Sequence, residues 1–248
     1  MKPSIYKAAL FKLLLGALIA ASFFSCQMEQ RVTIDKEGEG ELTFSIELAD
    51  YLTTVVEQMQ ALGGTPETEE EAGIVEIEAL KTDLNQRPEL EVTALENSDD
   101  QHWNGTIEFT DIESILASSE LPPGTENLFV FSRKPGSSLL ELNVSLESIE
   151  AILAANPSLD SPLMQAFGPL ANIGLTDEDY LEMMEFALGP ESREGIKGSA
   201  LDMVIQVDGR IISQTGGELI DNSTVRFSIP LLDILIIEDS INYSVKFN

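Results

Sequence analysis

The chain has 248 residues, 43% of them hydrophobic, enough to bury a core in one large domain or two small ones. Its 43 Asp and Glu outweigh 14 Lys and Arg, a formal charge of −29, and such a surface repels nucleic-acid phosphates, so no nucleic-acid partner is expected. One cysteine rules out a disulfide framework, and one histidine rules out paired-histidine metal motifs.

The first 25 residues read as an export signal. Lys2, Lys7 and Lys12 give a basic lead, an apolar run extends from Leu13 to Phe24, and no acid precedes Glu29. The run is shorter than the roughly 20 residues a membrane-spanning helix needs. Phe23-Phe24-Ser25-Cys26 resembles a bacterial lipobox, with Ser25 as the small residue and Phe23 and Phe24 departing from the usual Leu and small-residue positions. That resemblance implies cleavage before Cys26 and a diacylglycerol thioether on its sulfur, which would anchor the protein in a membrane. Gln27 after the cysteine resembles an outer-membrane sorting signal, so the expected place is the bacterial cell envelope, at the outer membrane if the host has two. Removal of residues 1–25 takes three cations away, leaving eleven against 43 carboxylates, a charge of −32. Residues 26–30 are expected to be the lipidated cysteine and a short tether, and residues 31–248 a single envelope domain.

Along that domain, Val32 and Ile34, then Leu42, Phe44, Ile46 and Leu48, alternate with polar residues around Lys36-Glu37-Gly38-Glu39-Gly40, predicting a hairpin over 31–48. Asp50 is a candidate cap for a helix carrying Leu52, Val55, Val56, Met59 and Leu62, and a second helix is predicted over about 69–85. Strands resume at Leu90–Ala94 and Trp103–Phe109, followed by a short helix over 111–118. A further hairpin is predicted around Lys134-Pro135-Gly136-Ser137. Helices are expected over 147–155, 161–170 and 176–188, the last opened by a capping box of Thr176 and Asp179 and closed by Gly189-Pro190. Strands then occupy 201–207, 210–214, 224–229 and 241–247, with Asp208-Gly209 as a tight hairpin turn between the first two. Strands that repeatedly feed amphipathic helices predict an α+β fold, a largely antiparallel sheet with helices packed on one face.

Val207-Asp208-Gly209-Arg210-Ile211-Ile212-Ser213, then Gly216-Gly217 and Asp221-Asn222-Ser223-Thr224-Val225-Arg226-Phe227, resemble LppM-type envelope lipoproteins. Asp208 stands where that family has Pro and Phe227 where it has Trp. The N-terminal hairpin with its Gly-x-Gly turn also falls where the family has one. The resemblance implies an envelope α+β domain that holds lipid-like ligands, and it transfers no catalytic residue.

The search for chemistry yields little. His102 sits at a strand edge beside a polar turn, no nucleophile elbow, phosphate loop or dinucleotide fingerprint is present, and Asp177-Glu178-Asp179 suits a helix N-terminus. No enzyme activity and no cofactor are therefore expected. Met164, Phe167, Met183, Met184 and Phe186 form a candidate apolar ligand-binding set, since thioethers adapt to irregular ligands, though the same spacing suits a core. The expected function is a non-enzymatic, lipid-anchored envelope protein that binds an apolar or lipid-like ligand or a protein partner. The alternative is a structural or assembly role, with the acidic surface docking a basic partner.

Overall fold

The computed structural model describes residues 25–48, 81, 84–85, 88–99, 102–116, 123–155 and 162–248. The export signal expected over residues 1–25 lies outside them, save Ser25. So do the helices expected over 50–62 and 69–85, save Lys81, Leu84 and Asn85. The fold is α+β, with the strands divided between two sheets.

The first sheet contains β1 (Ser25–Ile34), β2 (Gly40–Leu48), β3 (Leu90–Asp99), β4 (His102–Phe109), β7 (Ala200–Val207), β9 (Glu218–Leu219) and β10 (Thr224–Pro230). Their order is β3-β4-β2-β1-β7-β10-β9, antiparallel except where β1 runs parallel to β7. The second sheet, all antiparallel, has the order β5 (Phe129–Lys134), β6 (Ser137–Val144), β11 (Ile241–Phe247) and β8 (Ile211–Thr215). The helices are α1 (Ile112–Leu116), α2 (Leu146–Ala155), α3 (Pro162–Phe167), α4 (Asp177–Leu188), α5 (Pro190–Gly198) and α6 (Leu231–Leu235).

Alternation decides which face is buried. In β6, Ser138, Leu140, Leu142 and Val144 point inward at every second position, and in β10 Val225, Phe227 and Ile229 do the same. The apolar ones among them meet Ile149 and Ile152 of α2, Tyr180, Leu181 and Met184 of α4, and Ile234 and Leu235 of α6 in one core. Tyr243 joins the two sheets: its ring stacks on Phe227 at 4.7 Å between centroids, and its O–H donates to the Ser228 carbonyl at 2.8 Å. A smaller cluster under β2, β3 and β4 holds Phe44, Ile46, Leu84, Val92 and Ile107. There Phe44 lies over Gly105, its partner across the ladder, leaving no space for a side chain on that glycine.

Three expectations change. Residues 27–30, expected as a tether, belong to β1 and pair with β2 on one side and β7 on the other. The Asp208-Gly209 turn does not close a hairpin: β7 lies inside the first sheet, whereas β8 crosses to pair with β11 in the second. And α5, which the sequence reading left out, follows α4 directly. It starts with Pro190 at its first position, and Ser192 Oγ donates to the Gly189 carbonyl at 2.7 Å.

Candidate functional site

Cys26, the residue expected to carry lipid, and a cleft lined by four cations lie at opposite ends of β1. At the start of the strand the register slips between Ser25 and Gln27: Ser25 faces Leu48 and Gln27 faces Glu47, so Cys26 is the extra residue. The parallel ladder with β7 begins only at Gln27 and Ala200. Cys26 therefore pairs with neither neighbour, and cleavage before it would cost one pair, Ser25 with Leu48, leaving both ladders otherwise whole. From Cys26 to Ile34 the strand advances about 26 Å at roughly 3.3 Å per residue.

At the other end, three turns from distant parts of the chain converge. The β1–β2 turn is closed by Asp35 N–H to the Glu39 carbonyl at 2.9 Å and by Glu39 N–H to the Asp35 carboxylate at 2.9 Å, with Gly38 at φ 87°. The β5–β6 turn docks on it: Ser138 Oγ donates to the Lys36 carbonyl at 2.9 Å, and Arg133 Nη1 donates to the Glu37 carbonyl at 2.9 Å. The β7–β8 connection is tied in by Asp208 N–H to the Ile34 carbonyl at 2.9 Å. Arg210 and Asn248 exchange backbone hydrogen bonds at 3.1 and 3.2 Å. Gly209 is at φ 149°, and a Cβ there would stand 1.8 Å from the Asn248 carbonyl oxygen, so only glycine fits.

Between these turns lies an open cleft of about 780 Å³. Lys36, Arg133, Lys134 and Arg210 line it with a single carboxylate, Glu37. Four cations and one carboxylate side chain line the cleft itself, and the Glu113 and Asp111 carboxylates stand directly behind Arg133, so the unbalanced positive charge rests on Lys134 and Arg210. Arg133 is fixed from behind: Nε donates to Glu113 at 2.6 Å, and Asp111 lies 4.0 Å from Nη2. Hydrogen bonds from Ser114, its hydroxyl first and then its backbone N–H, hold the Asp111 carboxyl below the ordinary range, with Arg133 adding to the effect. Asp111 thereby caps α1 and secures the cleft wall. Lys36 meets Glu37 at 3.6 Å. Among the described residues, Lys134 and Arg210 carry no ion pair.

A second, smaller cleft of about 330 Å³ lies over β1, β2, β3 and β4, bordered by Glu29, Arg31, Thr43, Glu96 and Asn104. It mixes charges and hydroxyls without the one-signed character of the first.

The five sequence candidates for an apolar ligand are divided by the fold. Met164 and Met184 are buried in the main core, and Phe167 and Met183 pack against it. The Phe167 carbonyl accepts from Asn172 Nδ2 at 2.9 Å and from Tyr180 Oη at 3.1 Å, stitching α3 to the core helix α4. Phe186 is 94% exposed, because on α4 it falls on the side away from Tyr180, Leu181 and Met184. It shares no core position with Met164 and Met184. His102 faces Glu47 across the β2–β4 ladder, with Nε2 at 3.7 Å from the carboxylate.

The cleft residues were missed because the cations come from three separate turns, with only Arg133 and Lys134 adjacent in the chain. The available signal was their scarcity: of 14 Lys and Arg, four lie in three turns that also carry Gly38, Gly136 or Gly209.

No protein-family model matches the sequence, and no curated protein does. Among solved structures the chain is similar to the folded domain of Mycobacterium tuberculosis LppM determined by NMR, at 10% identity and a TM-score of 0.38 over 90% of this chain and 88% of that one. An overlap of that extent assigns no function. The described residues contain no helix long and apolar enough to cross a membrane.

Proposed function

We propose that the protein is a non-enzymatic lipoprotein of a bacterial cell envelope, anchored through lipid on Cys26 and binding a ligand with the opposite end of the fold. The observation that carries this reading is the place of Cys26. It follows a basic lead and an apolar run, and it is the unpaired residue of a bulge at the tip of β1. A cysteine so placed can be cut free and acylated without breaking either ladder beyond Gln27. The anchor then sits on the sheet itself, and the lipid fixes which end of the body faces the bilayer. Packing of Met164, Phe167, Met183 and Met184 into or against the core favours an open cleft over an internal apolar cavity as the binding region.

The test is mass spectrometry of the N-terminal peptide from the membrane fraction. The expected species begins at Cys26 and carries a diacylglycerol thioether, and Cys26→Ser leaves the protein in the soluble fraction or uncleaved. A mature protein with a bare Cys26 thiol overturns the reading. A second reading, docking of a basic partner, draws on the outer side of α4, where Glu178, Glu182 and Glu185 are exposed. It predicts a stoichiometric basic protein that co-purifies and dissociates as salt rises.

A further inference from the structure

We infer that the three-turn cleft is a binding site for a polyanion bearing phosphate groups. The inference rests on the reading of the protein as a non-enzymatic binder, and it does not need the anchor. On a surface dominated by carboxylates, four cations that converge on one concave site, two of them without an ion pair among the described residues, are a concentration of the rarer sign.

The cations are presented in three ways. Arg133 is pre-set: Glu113 and the Glu37 carbonyl take three of its N–H groups, leaving the remainder of its five donors for a ligand. Lys134 and Arg210 stand on separate turns with no ion pair among the described residues, so their charge is available. Lys36 is shared with an exposed Glu37 at 3.6 Å, a contact a stronger anion can displace.

The ligand must therefore offer several anionic oxygens to cations that no single carboxylate can reach together, and about 780 Å³ admits such a molecule. Phosphate groups supply three oxygens per centre and suit the planar fork of arginine. At Gly136 no atom lies within 4 Å of where a Cβ would stand, so a tetrahedral group can approach the main chain there. Because backbone hydrogen bonds fix the three turns to one another, little ordering opposes binding.

The test titrates full-length protein in mild detergent with inorganic tripolyphosphate, followed by calorimetry and phosphorus NMR. Saturable binding near one per chain is expected. Lys134→Ala and Arg210→Ala should each weaken it about tenfold, as loss of a charge-assisted contact does, and the double variant about a hundredfold. Lys197→Ala, on α5 away from the cleft, should stay within about twofold; circular dichroism checks that each variant is folded. A parallel arm uses phosphatidylcholine vesicles with and without phosphatidic acid. Binding that appears only with the acidic lipid and is lost in the double variant identifies a lipid headgroup as the source, whereas binding to tripolyphosphate alone identifies a free ligand. Absence of saturable binding in both arms overturns the site, as does an equal loss in Lys197→Ala. Release of orthophosphate would overturn the non-enzymatic reading while upholding the site.

Discussion

The first sheet contributes to both the main core and the small cluster under β2, β3 and β4, yet the two are built differently. Among the described residues, 27 buried apolar side chains make up the first and five the second. The main core is enclosed by two sheets and by α2, α4 and α6. The cluster has a single layer of strands, with Leu84 as its buried helical contribution. A single residue can be as deeply buried in either: Leu84 is 1% exposed, as is Phe227. What differs is how many independent elements converge, and this decides whether the loss of one side chain is felt by the whole fold or by one corner.

The largest effect is expected at Phe227. Its ring stacks on Tyr243 from the other sheet and sits so close to Gly217 that a Cβ there would come within 2.4 Å of it. Phe227→Ala should cost about 3–5 kcal/mol and lower protection from hydrogen exchange in both sheets together. Leu84→Ala should cost about 2–3 kcal/mol, with the faster exchange confined to β2, β3 and β4. If Leu84→Ala accelerates exchange equally in β6 and β11, the two regions are one cooperative unit and the contrast between them fails.

Tyr243→Phe refines the contrast. It keeps the ring on Phe227 and removes the single hydrogen bond from β11 to the Ser228 carbonyl, so about 0.5–1.5 kcal/mol should be lost in urea unfolding. No loss at all would mean that this hydrogen bond adds nothing to the contact between the Tyr243 and Phe227 rings.

How much of this was legible in the sequence follows from how local each feature is. The hairpins at 31–48 and 128–146 were readable, since alternation and a glycine turn lie within about twenty residues. The start of α4 was readable too, and Thr176 and Asp179 exchange both capping hydrogen bonds. The division into two sheets was not. Asp208-Gly209 has hairpin chemistry, but β7 is claimed by β1, some 170 residues earlier in the chain, and by β10, so β8 must leave for the other sheet. Helix α5 escaped notice because Ser192 and Ile196 alone are buried in it. Its Arg193 is held by Glu178 and Glu185 of α4, contacts that no periodicity announces. The cleft was invisible for the same reason as the sheet division: Lys36, Arg133 and Arg210 meet only after both sheets have formed.

The smallest expected effect concerns pH, and it separates the rim of the main core from the cleft wall. Burial, and secondarily the charge of Asp177, pushes the Asp233 carboxyl above its ordinary value of 3.8. The folded protein then keeps a proton that the unfolded chain releases, so this group favours the fold at low pH, and the contribution is lost as pH rises from about 3.8 through the raised value. Asp111 has the opposite sign: held down by Ser114 and then by Arg133, it stabilises above 3.8, and that contribution is lost as pH falls through its lowered value. Thermal melts across the acid range should show both slopes. Asp177→Asn removes the repulsion on Asp233 and should flatten the loss above 3.8, by less than the change from Tyr243→Phe, while leaving the acid limb untouched. Asp111→Asn should flatten the acid limb alone. If either substitution moves both limbs together, the two carboxyls report one shared transition, and the distinction between core rim and cleft wall does not hold.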